Sequence, residues 1–306
     1  MPNIEWNKAI WNRDYDWTQD GDEWSSAWGS TDMYWYATIL PRIHQFVPTS
    51  SILEIGPGFG RWTQFLKGLC QELTVIDLSE KCIDACRKRF QGANHIRYHV
   101  NDGTSLEMIP DESIDFVFTF DSLVHAERDV IESYLVQLAK KLKRNGVGVI
   151  HHSNLGEYKA YFSLLRRLKI LTKATVFSGH GNGSTTCPTN LGHRRARTLS
   201  NALVRIGLLE EGGNRALSMT AAEFQKLATN AGLRCIAQEL VPWDGKRLID
   251  SISTFTRPES RWCRENRCIR NPGFRLEANG ARTIAGIYGN GSFPVANGSD
   301  WNNSAH

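Results

Sequence analysis

The sequence lacks several features that would assign the protein to a class directly. Its seven cysteines are scattered without a CxxC pair, which argues against a zinc ribbon or a dense disulfide framework and favours a reduced chain. No uninterrupted apolar run reaches the ~18–20 residues that cross a bilayer. The start, MPNIEWNKAI, has no basic segment leading into an apolar one, as a signal peptide has. These absences predict a cytoplasmic protein without a transmembrane segment.

A strong charge of either sign is also missing. The formal net charge is +4, which is too small to indicate a nucleic-acid partner. The basic excess is local, because residues 257–282 contain seven arginines and three glutamates. This stretch fits an ordinary charged surface, and it also fits a surface that faces a partner, such as a membrane-bound glycan assembly complex.

Tryptophan is abundant at the start of the chain. Six of the ten tryptophans lie within the first 35 residues. The pattern from Asp32 to Phe46 predicts an amphipathic helix that Pro41 kinks or ends. Residues 1–48 are therefore expected to form an aromatic helical cap, which either closes the core or acts as a lid whose rings stack on a ligand. Trp28 and Trp35 are the candidate substrate-binding residues in this segment.

Strand patterns alternate with helix patterns from residue 51 to residue 152. A helix is predicted after the N-cap Ser79, and another over residues 127–143 that ends at a left-handed Gly146. Strands alternating with helices of this length predict a mostly parallel sheet covered on both faces. The strands are predicted at residues 51–55, 72–77, 95–100, 113–120 and 147–152.

The regular alternation stops after residue 155. We expect an insertion over residues 156–220, between the fifth and sixth strands. Residues 221–288 are then predicted to complete the sheet, with a helix capped by Thr220 and ended by Gly232 and two strands at 234–243 and 248–257. Residues 289–306 are rich in turn formers and poor in apolar residues, so disorder is expected.

A glycine-rich string, EIGPGFG, follows the first predicted strand. Gly56, Gly58 and Gly60 lack the Cβ atoms that would keep the backbone away from a ligand. Nicotinamide dehydrogenases normally carry GxGxxG, whose third glycine would fall at Arg61. The GxGxG spacing, with Glu54 two residues before the first glycine, therefore argues against a dinucleotide.

Acidic residues follow the next two strands, at the sheet edge where ligands of open α/β sheets bind. Asp77 closes the second strand, where a carboxylate can accept hydrogen bonds from both hydroxyls of a ribose. Asp102 follows the third strand and is suited to the amino group of an adenine. For each of them a purely local role, in a helix N-terminus or in a turn, is the alternative.

Taken together, EIGPGFG, VIDLS, HVNDG and FVFTFDS resemble the motif series of class I S-adenosylmethionine-dependent methyltransferases. The resemblance implies an α/β fold with a doubly wound, seven-stranded, mostly parallel, Rossmann-like sheet, in which residues 49–155 form the cofactor-binding core. It also implies S-adenosylmethionine as cofactor and a cytoplasmic transferase. The cofactor-binding residues that it implies are Glu54, Gly56, Gly58, Gly60, Asp77, Leu78, Asn101, Asp102, Gly103 and Phe120.

The chain is also similar to bacterial methyltransferases of surface-polysaccharide and glycan synthesis, which implies O-methylation of a sugar hydroxyl. An alcohol holds its proton tightly, so we expect a general base. The favoured arrangement has His125 as base, with Asp121 or His152 orienting it or the sugar. A divalent metal such as Mg²⁺, held by Asp121, Glu127 and Asp129, is the competing activator.

The acceptor is expected to contact the insertion, where His193 and Arg195 in HRRAR are candidates for binding a phosphate or an acidic sugar. Three alternatives stay open at this point. The first is methylation of a small metabolite at nitrogen or carbon. The second is a nicotinamide-dependent oxidoreductase, and the third is a binding protein that keeps the fold without turnover.

Overall fold

The computed structural model describes residues 3–167, 214–243 and 245–288. The predicted insertion at residues 156–220 is therefore described only at its two ends. His193 and Arg195 lie outside the described residues, and so does the predicted tail at 289–306. No helix of the described ranges is long and apolar enough to cross a membrane.

A single mixed sheet forms the centre of the described structure, in the order β3-β2-β1-β4-β5-β7-β6-β8. Only β7 runs antiparallel to its neighbours. The predicted α/β class with a mostly parallel sheet is confirmed. The strands are β1 Thr49–Ile55, β2 Cys70–Asp77, β3 Ile96–Val100, β4 Ile114–Thr119, β5 Leu142–Ser153, β6 Arg234–Val241, β7 Asp250–Thr256 and β8 Arg267–Arg270.

The eighth strand corrects the prediction of seven. β8 has the sequence RCIR, and all four residues are exposed, so no apolar pattern marks it as a strand. Backbone pairing with β6 alone defines it. The arginines Arg267 and Arg270 carry charge along this outer edge, which is a common way to keep an edge strand from pairing with other chains.

Helices cover both faces of the sheet. Three sequence-predicted helix ends are confirmed: Ser79 accepts from the Cys82 N–H, Thr220 accepts from the Glu223 N–H, and Gly232 is left-handed. The α-helices are Ile4–Ala9, Thr31–Tyr34, Leu40–Ile43, Thr63–Leu66, Glu80–Arg89, Arg128–Lys141, Lys159–Arg167, Ala221–Asn230 and Glu277–Tyr288. Wider or tighter helical turns lie at Ile10–Asp14, Asp22–Trp28, Trp35–Ile39, Leu123–His125, Leu155–Tyr158 and Phe274–Leu276.

Two local predictions are wrong. Gly146 is not a left-handed helix end; the helix stops at Lys141, and Gly146 lies inside β5. A Cβ atom there would come within 2.8 Å of the Ile114 carbonyl oxygen, so the glycine permits close strand packing. Of the two alternatives for Pro41, a kink or a helix end, the helix end is wrong, because a π-helical turn at Trp35–Ile39 precedes Pro41 and the helix continues to Ile43.

The second half of the aromatic N-terminal segment belongs to the hydrophobic core. Trp28 and Trp35 are 1% and 2% exposed. Trp28 stacks on Tyr34 with ring centroids 3.7 Å apart, and Trp35 stacks on Phe65 at 4.7 Å. The structure thus places both candidate substrate-binding tryptophans in packing positions, where they cover one face of the sheet.

Arg42 links this segment by ion pairs to strand β6 and to the helix Glu277–Tyr288. Its guanidinium lies 2.6 Å from the Glu239 carboxylate on β6 and 2.7 Å from the Glu277 carboxylate of the last helix. All three side chains are mostly buried. Two carboxylates without their common partner would repel each other in a poorly solvated site.

Arg42→Ala is therefore expected to lower the free energy of unfolding by about 3 kcal/mol, the usual cost of breaking a buried ion pair. Urea denaturation followed by tryptophan fluorescence measures it. Arg87→Ala is the matched control, because its pair with Asp84 is exposed and should contribute about 0.5 kcal/mol or less. Equal effects of the two substitutions would contradict this role of Arg42.

Candidate active site

A pocket opens at the carboxyl ends of β1, β2 and β4, where strand order reverses. Most of its wall comes from the glycine loop, the end of β2, the segment after β4, and residues 3–24. Two further residues line the pocket: Arg215, which precedes the helix Ala221–Asn230, and Trp243, which follows strand β6. The pocket therefore depends on residues far apart in sequence.

The glycine loop is built for close approach. Gly56, Gly58 and Gly60 have φ of +71°, +57° and +89°, values that other residues rarely adopt. A Cβ on Gly56 would meet the Ser122 hydroxyl at 1.9 Å, and one on Gly58 would meet the Trp17 ring at 2.8 Å. Gly56 and Gly58 line the pocket. A Cβ on Gly60 would instead meet the Phe90 ring at 2.5 Å, which gives this glycine a packing role.

Asp77 ends β2 at the pocket, as the sequence predicts for a ribose ligand. Its carboxylate accepts from the Ser79 N–H at 2.9 Å and the Gly58 N–H at 3.3 Å. These hydrogen bonds lower the pKa of Asp77, but burial outweighs them and raises it to about 6. The glycine loop and Asp77 thus fit an adenosine-containing group: a backbone cradle lies beside a carboxylate that can accept from two hydroxyls.

The loop after β3 has a mainly local role in the described structure. Asp102 is exposed, and its Oδ1 accepts from the Thr104 N–H, the Thr104 hydroxyl and the Ser105 N–H. Asn101 donates to the Ser105 carbonyl and to the Tyr134 hydroxyl. Gly103, at φ +91°, is the residue of this loop that lines the pocket, together with Leu78 of the β2 end.

The first half of the N-terminal segment covers the pocket. Trp17 stacks on Phe59 of the glycine loop, with centroids 4.4 Å apart and planes 9° from parallel. The side-chain oxygen Oδ1 of Asn12 accepts from the Ser79 hydroxyl at 2.7 Å. Trp11 and Trp24 also line the pocket. Rings of the first half of the tryptophan-rich start thus line the pocket, and rings of its second half fill the core.

His125 lies in the pocket wall, one turn after Asp121. Its Nδ1 is 2.8 Å from the Asn214 carbonyl oxygen. Because a carbonyl only accepts, Nδ1 carries the proton and Nε2 carries a lone pair in the neutral ring. Desolvation lowers the pKa of His125 to about 4, so the ring is neutral near pH 7.

Alternation along β5 separates its two histidines. His152 bonds the Ser253 hydroxyl through Nε2 at 2.8 Å and stacks on Phe224 at 4.4 Å, so it faces the helix layer and not the pocket. Burial lowers the pKa of His152 to about 4. His151 faces the other way, with its ring centroid 4.5 Å from that of Phe120, the predicted cofactor-side aromatic; Phe120 itself lines the pocket.

A buried chain of charged residues lies under the pocket. Asp121 pairs with Arg61 at 2.7 Å, and Asp250 pairs with Arg215 through Nε and Nη2. His151 lies between the two carboxylates, 3.1 Å from Asp121 and 3.5 Å from Asp250. The sequence places Asp121 and the pair His151 and His152 at strand ends, but nothing in its spacing connects Arg61, Arg215 or Asp250 with them.

Two of the three proposed metal ligands, Glu127 and Asp129, lie at the start of a helix. Glu127 is the N-cap of Arg128–Lys141, and its carboxylate bonds the hydroxyl and N–H of Ser218. Asp129 lies in the first turn of that helix, where an acid is favourable. Across residues 3–167, 214–243 and 245–288, no group of three or more histidine, cysteine or acidic residues is placed to hold a metal ion.

Glu54 lies behind the loop, 1% exposed, and accepts from the Thr63 hydroxyl at 2.6 Å. Burial raises its pKa from 4.5 to about 8. The folded state thus holds this proton more tightly than the unfolded chain does. Glu54 should therefore lower stability progressively as pH rises from about 4.5 to about 8, by roughly 1.4 kcal/mol per pH unit at most.

Glu54→Gln should remove this pH dependence, because the amide keeps an acceptor for Thr63 and does not titrate. Urea denaturation at several pH values between 5 and 8 measures the slope. Glu72→Gln, at an exposed carboxylate on β2, is the control and should keep the wild-type slope. A Glu54→Gln slope equal to that of the wild type would show that Glu54 is ionised in the folded protein.

Comparisons with known proteins agree with the glycine loop and Asp77. Residues 52–146 match the family model described as "Methyltransferase domain". Nodulation protein S of Bradyrhizobium diazoefficiens is 27% identical over 113 residues, covering 37% of this chain and 53% of that protein. Nodulation protein S of Rhizobium tropici is 40% identical over 55 residues, covering 18% and 23%. The chain thus matches about half or less of these curated relatives.

Among solved structures, the DhpI-SAM-HEP complex is similar with a TM-score of 0.48 and 18% identity, over 82% of this chain and 94% of that chain. PH0226 protein from Pyrococcus horikoshii OT3 has a TM-score of 0.46 and 19% identity, over 72% and 88%. Residues 52–146, which hold the glycine loop and Asp77, therefore match a methyltransferase domain.

Proposed function

We propose that the protein transfers a methyl group from S-adenosylmethionine to a hydroxyl of a sugar or glycan. The observation that carries the proposal is that hydrogen-bonding groups lie in the same pocket as the cofactor residues. His125 and Asp121 line the pocket beside Gly56, Gly58 and Asp77. When bound, S-adenosylmethionine supplies an electrophilic methyl carbon, so the protein has to align the acceptor and accept its proton.

The Nε2 lone pair of His125 suits a hydroxyl that donates a hydrogen bond. A histidine whose pKa is about 4 releases a proton readily at neutral pH, so His125 orients the hydroxyl better than it retains the proton. Aromatic side chains from the N-terminal segment, Trp11, Trp17 and Trp24, lie on the same pocket. Rings next to polar groups suit the faces and hydroxyls of a sugar.

The second candidate is methylation of a small metabolite at nitrogen. It is favoured by the same aromatic wall, because tryptophan faces attract cationic groups. The two candidates differ in how the acceptor loses its proton. An amine can lose it in solution, at a cost set by the pKa of the amine, whereas a hydroxyl needs a base in the site. Asp121 and His125 beside the cofactor residues favour the hydroxyl.

The decisive experiment is transfer of tritiated methyl from S-adenosylmethionine to three acceptor sets: cell-envelope glycan fractions, methyl glycosides, and the matching amino sugars. Label on the glycans or glycosides, stable to mild base as an ether is, is expected. His125→Gln should lower the rate about tenfold or more by misorienting the hydroxyl. Label confined to amino sugars would favour the nitrogen candidate, and label on none of the three sets would contradict the hydroxyl proposal.

Cofactor binding tests the other half of the site. Asp77→Asn is expected to raise the Kd for S-adenosylmethionine about 10- to 100-fold, because an amide accepts more weakly than a carboxylate from the ribose hydroxyls. Because the pKa of Asp77 is about 6, wild-type affinity should fall below pH 6 by up to about tenfold per pH unit. The variant should lack this fall.

Isothermal titration calorimetry at pH 5 to 8 measures both effects. Asp84→Asn is the control, since that carboxylate pairs with Arg87 on the exposed side of the helix Glu80–Arg89. A Kd that Asp77→Asn leaves within twofold of the wild-type value would remove Asp77 from the cofactor site.

A further inference from the structure

Two atoms of Asp121 compete for one ring nitrogen of His151. The backbone N–H of Asp121 donates to His151 Nδ1 at 3.1 Å. The carboxylate Oδ1 of the same residue also lies 3.1 Å from Nδ1. The N–H requires a lone pair on Nδ1, whereas Oδ1 requires a proton there. Only one of the two contacts is a hydrogen bond at any time.

The structure shows the arrangement with the backbone bond made. Asp121 Oδ1 is then buried without a hydrogen-bond partner. A proton on Nδ1 would break the N–H bond and turn the Oδ1 contact into a charge-assisted hydrogen bond. The pair therefore has two arrangements of nearly the same geometry that differ by one proton.

The groups around His151 stabilise the second arrangement. Asp250 Oδ2 lies 3.5 Å from Nε2, on the opposite side of the ring from Asp121. Burial lowers the pKa of His151, but the hydrogen bonds and charges of the two carboxylates outweigh burial and raise the pKa above 6.5. Five other titratable or charged side chains lie near this pair: Arg61, Arg215, Tyr34, His125 and His152.

Asp121 gives the pair its access to the pocket. Asp121 lines the pocket, and its φ of +62° is left-handed, an unfavourable conformation that persists where surrounding contacts hold it, often at functional sites. His151 is fully buried behind it. A proton that enters from the pocket therefore reaches His151 through Asp121.

We propose that the Asp121 carboxylate takes the proton of the acceptor hydroxyl and that His151 Nδ1 is where this proton comes to rest. Asp121 is the catalytic residue, and His151 is a positioning residue that acts through it. The inference rests on the proposed function and deepens it, because it specifies an acceptor that must lose a proton as it is methylated.

The acceptor O–H bond breaks, and the oxygen forms a bond to the methyl carbon while the C–S bond of the sulfonium breaks and leaves its electron pair on sulfur. The proton passes to the Asp121 carboxylate and on to His151 Nδ1, where the imidazolium donates to Oδ1. After the product leaves, His151 returns one proton to water.

Imidazole NMR tests the pair without any acceptor. The full chain, labelled with ¹⁵N-histidine and saturated with S-adenosylhomocysteine, is titrated from pH 5.5 to 9, and His151→Gln identifies the His151 signals among the nine histidines. His151 Nδ1 is expected to change from lone pair to N–H with a pKa above 6.5. Asparagine tolerates the left-handed φ of position 121, and Asp121→Asn should lower the pKa of His151 by about one unit or more.

The pH dependence of turnover tests the role in the reaction, with the glycoside or glycan that takes up label as acceptor. Wild-type kcat should rise with pH through the His151 pKa found by NMR. His151→Gln should lower kcat about 100-fold and remove the rise, with the Kd for S-adenosylhomocysteine changed less than threefold. His95→Gln, which replaces an imidazole that bonds the Lys67 carbonyl, should keep the wild-type profile.

Two NMR results would overturn the proposal: a His151 that stays neutral down to pH 6, or one that stays protonated at both nitrogens up to pH 9. A His151→Gln variant with wild-type kcat and the same pH profile would overturn it as well. If His151→Gln does not fold, Asp121→Asn replaces it in the rate measurement and should lose the same rise. Absence of any labelled hydroxyl acceptor contradicts the proposed function, while the NMR titration still decides the state of the pair.

Discussion

The position of β1 between β2 and β4 is the constraint on which the rest of the structure depends. Strand order reverses there, so the helices that follow β1 and β4 lie on opposite faces and leave a crevice above the strand ends. The glycine loop, Asp77 and Asp121 all meet at this crevice because each follows a parallel strand that ends at the same edge. The N-terminal segment then covers it, with Trp17 packed flat against the loop.

Burying charge under the pocket is the second constraint. Arg61, Asp121, Asp250 and Arg215 neutralise one another in pairs, which makes it possible to keep a titratable ring, His151, at zero exposure between two carboxylates. Burial lowers the pKa of all three histidines nearby, and their hydrogen-bonding and charged partners decide the net direction. His125 and His152, whose ring nitrogens bond only neutral partners, have lowered pKa values, whereas His151, with carboxylates on both sides, has a raised one.

Patterns within one segment were enough to predict the central strands, the N-caps Ser79 and Thr220, and the glycine loop, because these depend on neighbours in sequence. Predictions that depended on distant neighbours fared differently. Gly146 carries the turn signal of a helix end but serves the contact between β5 and the Ile114 carbonyl. The strand β8 has no apolar pattern and forms only because β6 offers it an open edge.

The sequence by itself determined the glycine loop and the acids at the ends of successive strands, because these are local features of βα units, and these motifs resemble those of class I methyltransferases. It also determined that the N-terminus is aromatic. Only the tertiary structure decided which tryptophans line the pocket and which fill the core. It also separated His151 from His152 and brought Arg215 and Asp250 to the site. The physical reason is that side-chain direction along a buried strand, and pairing between charges 30 to 99 residues apart at the site, depend on how the elements pack.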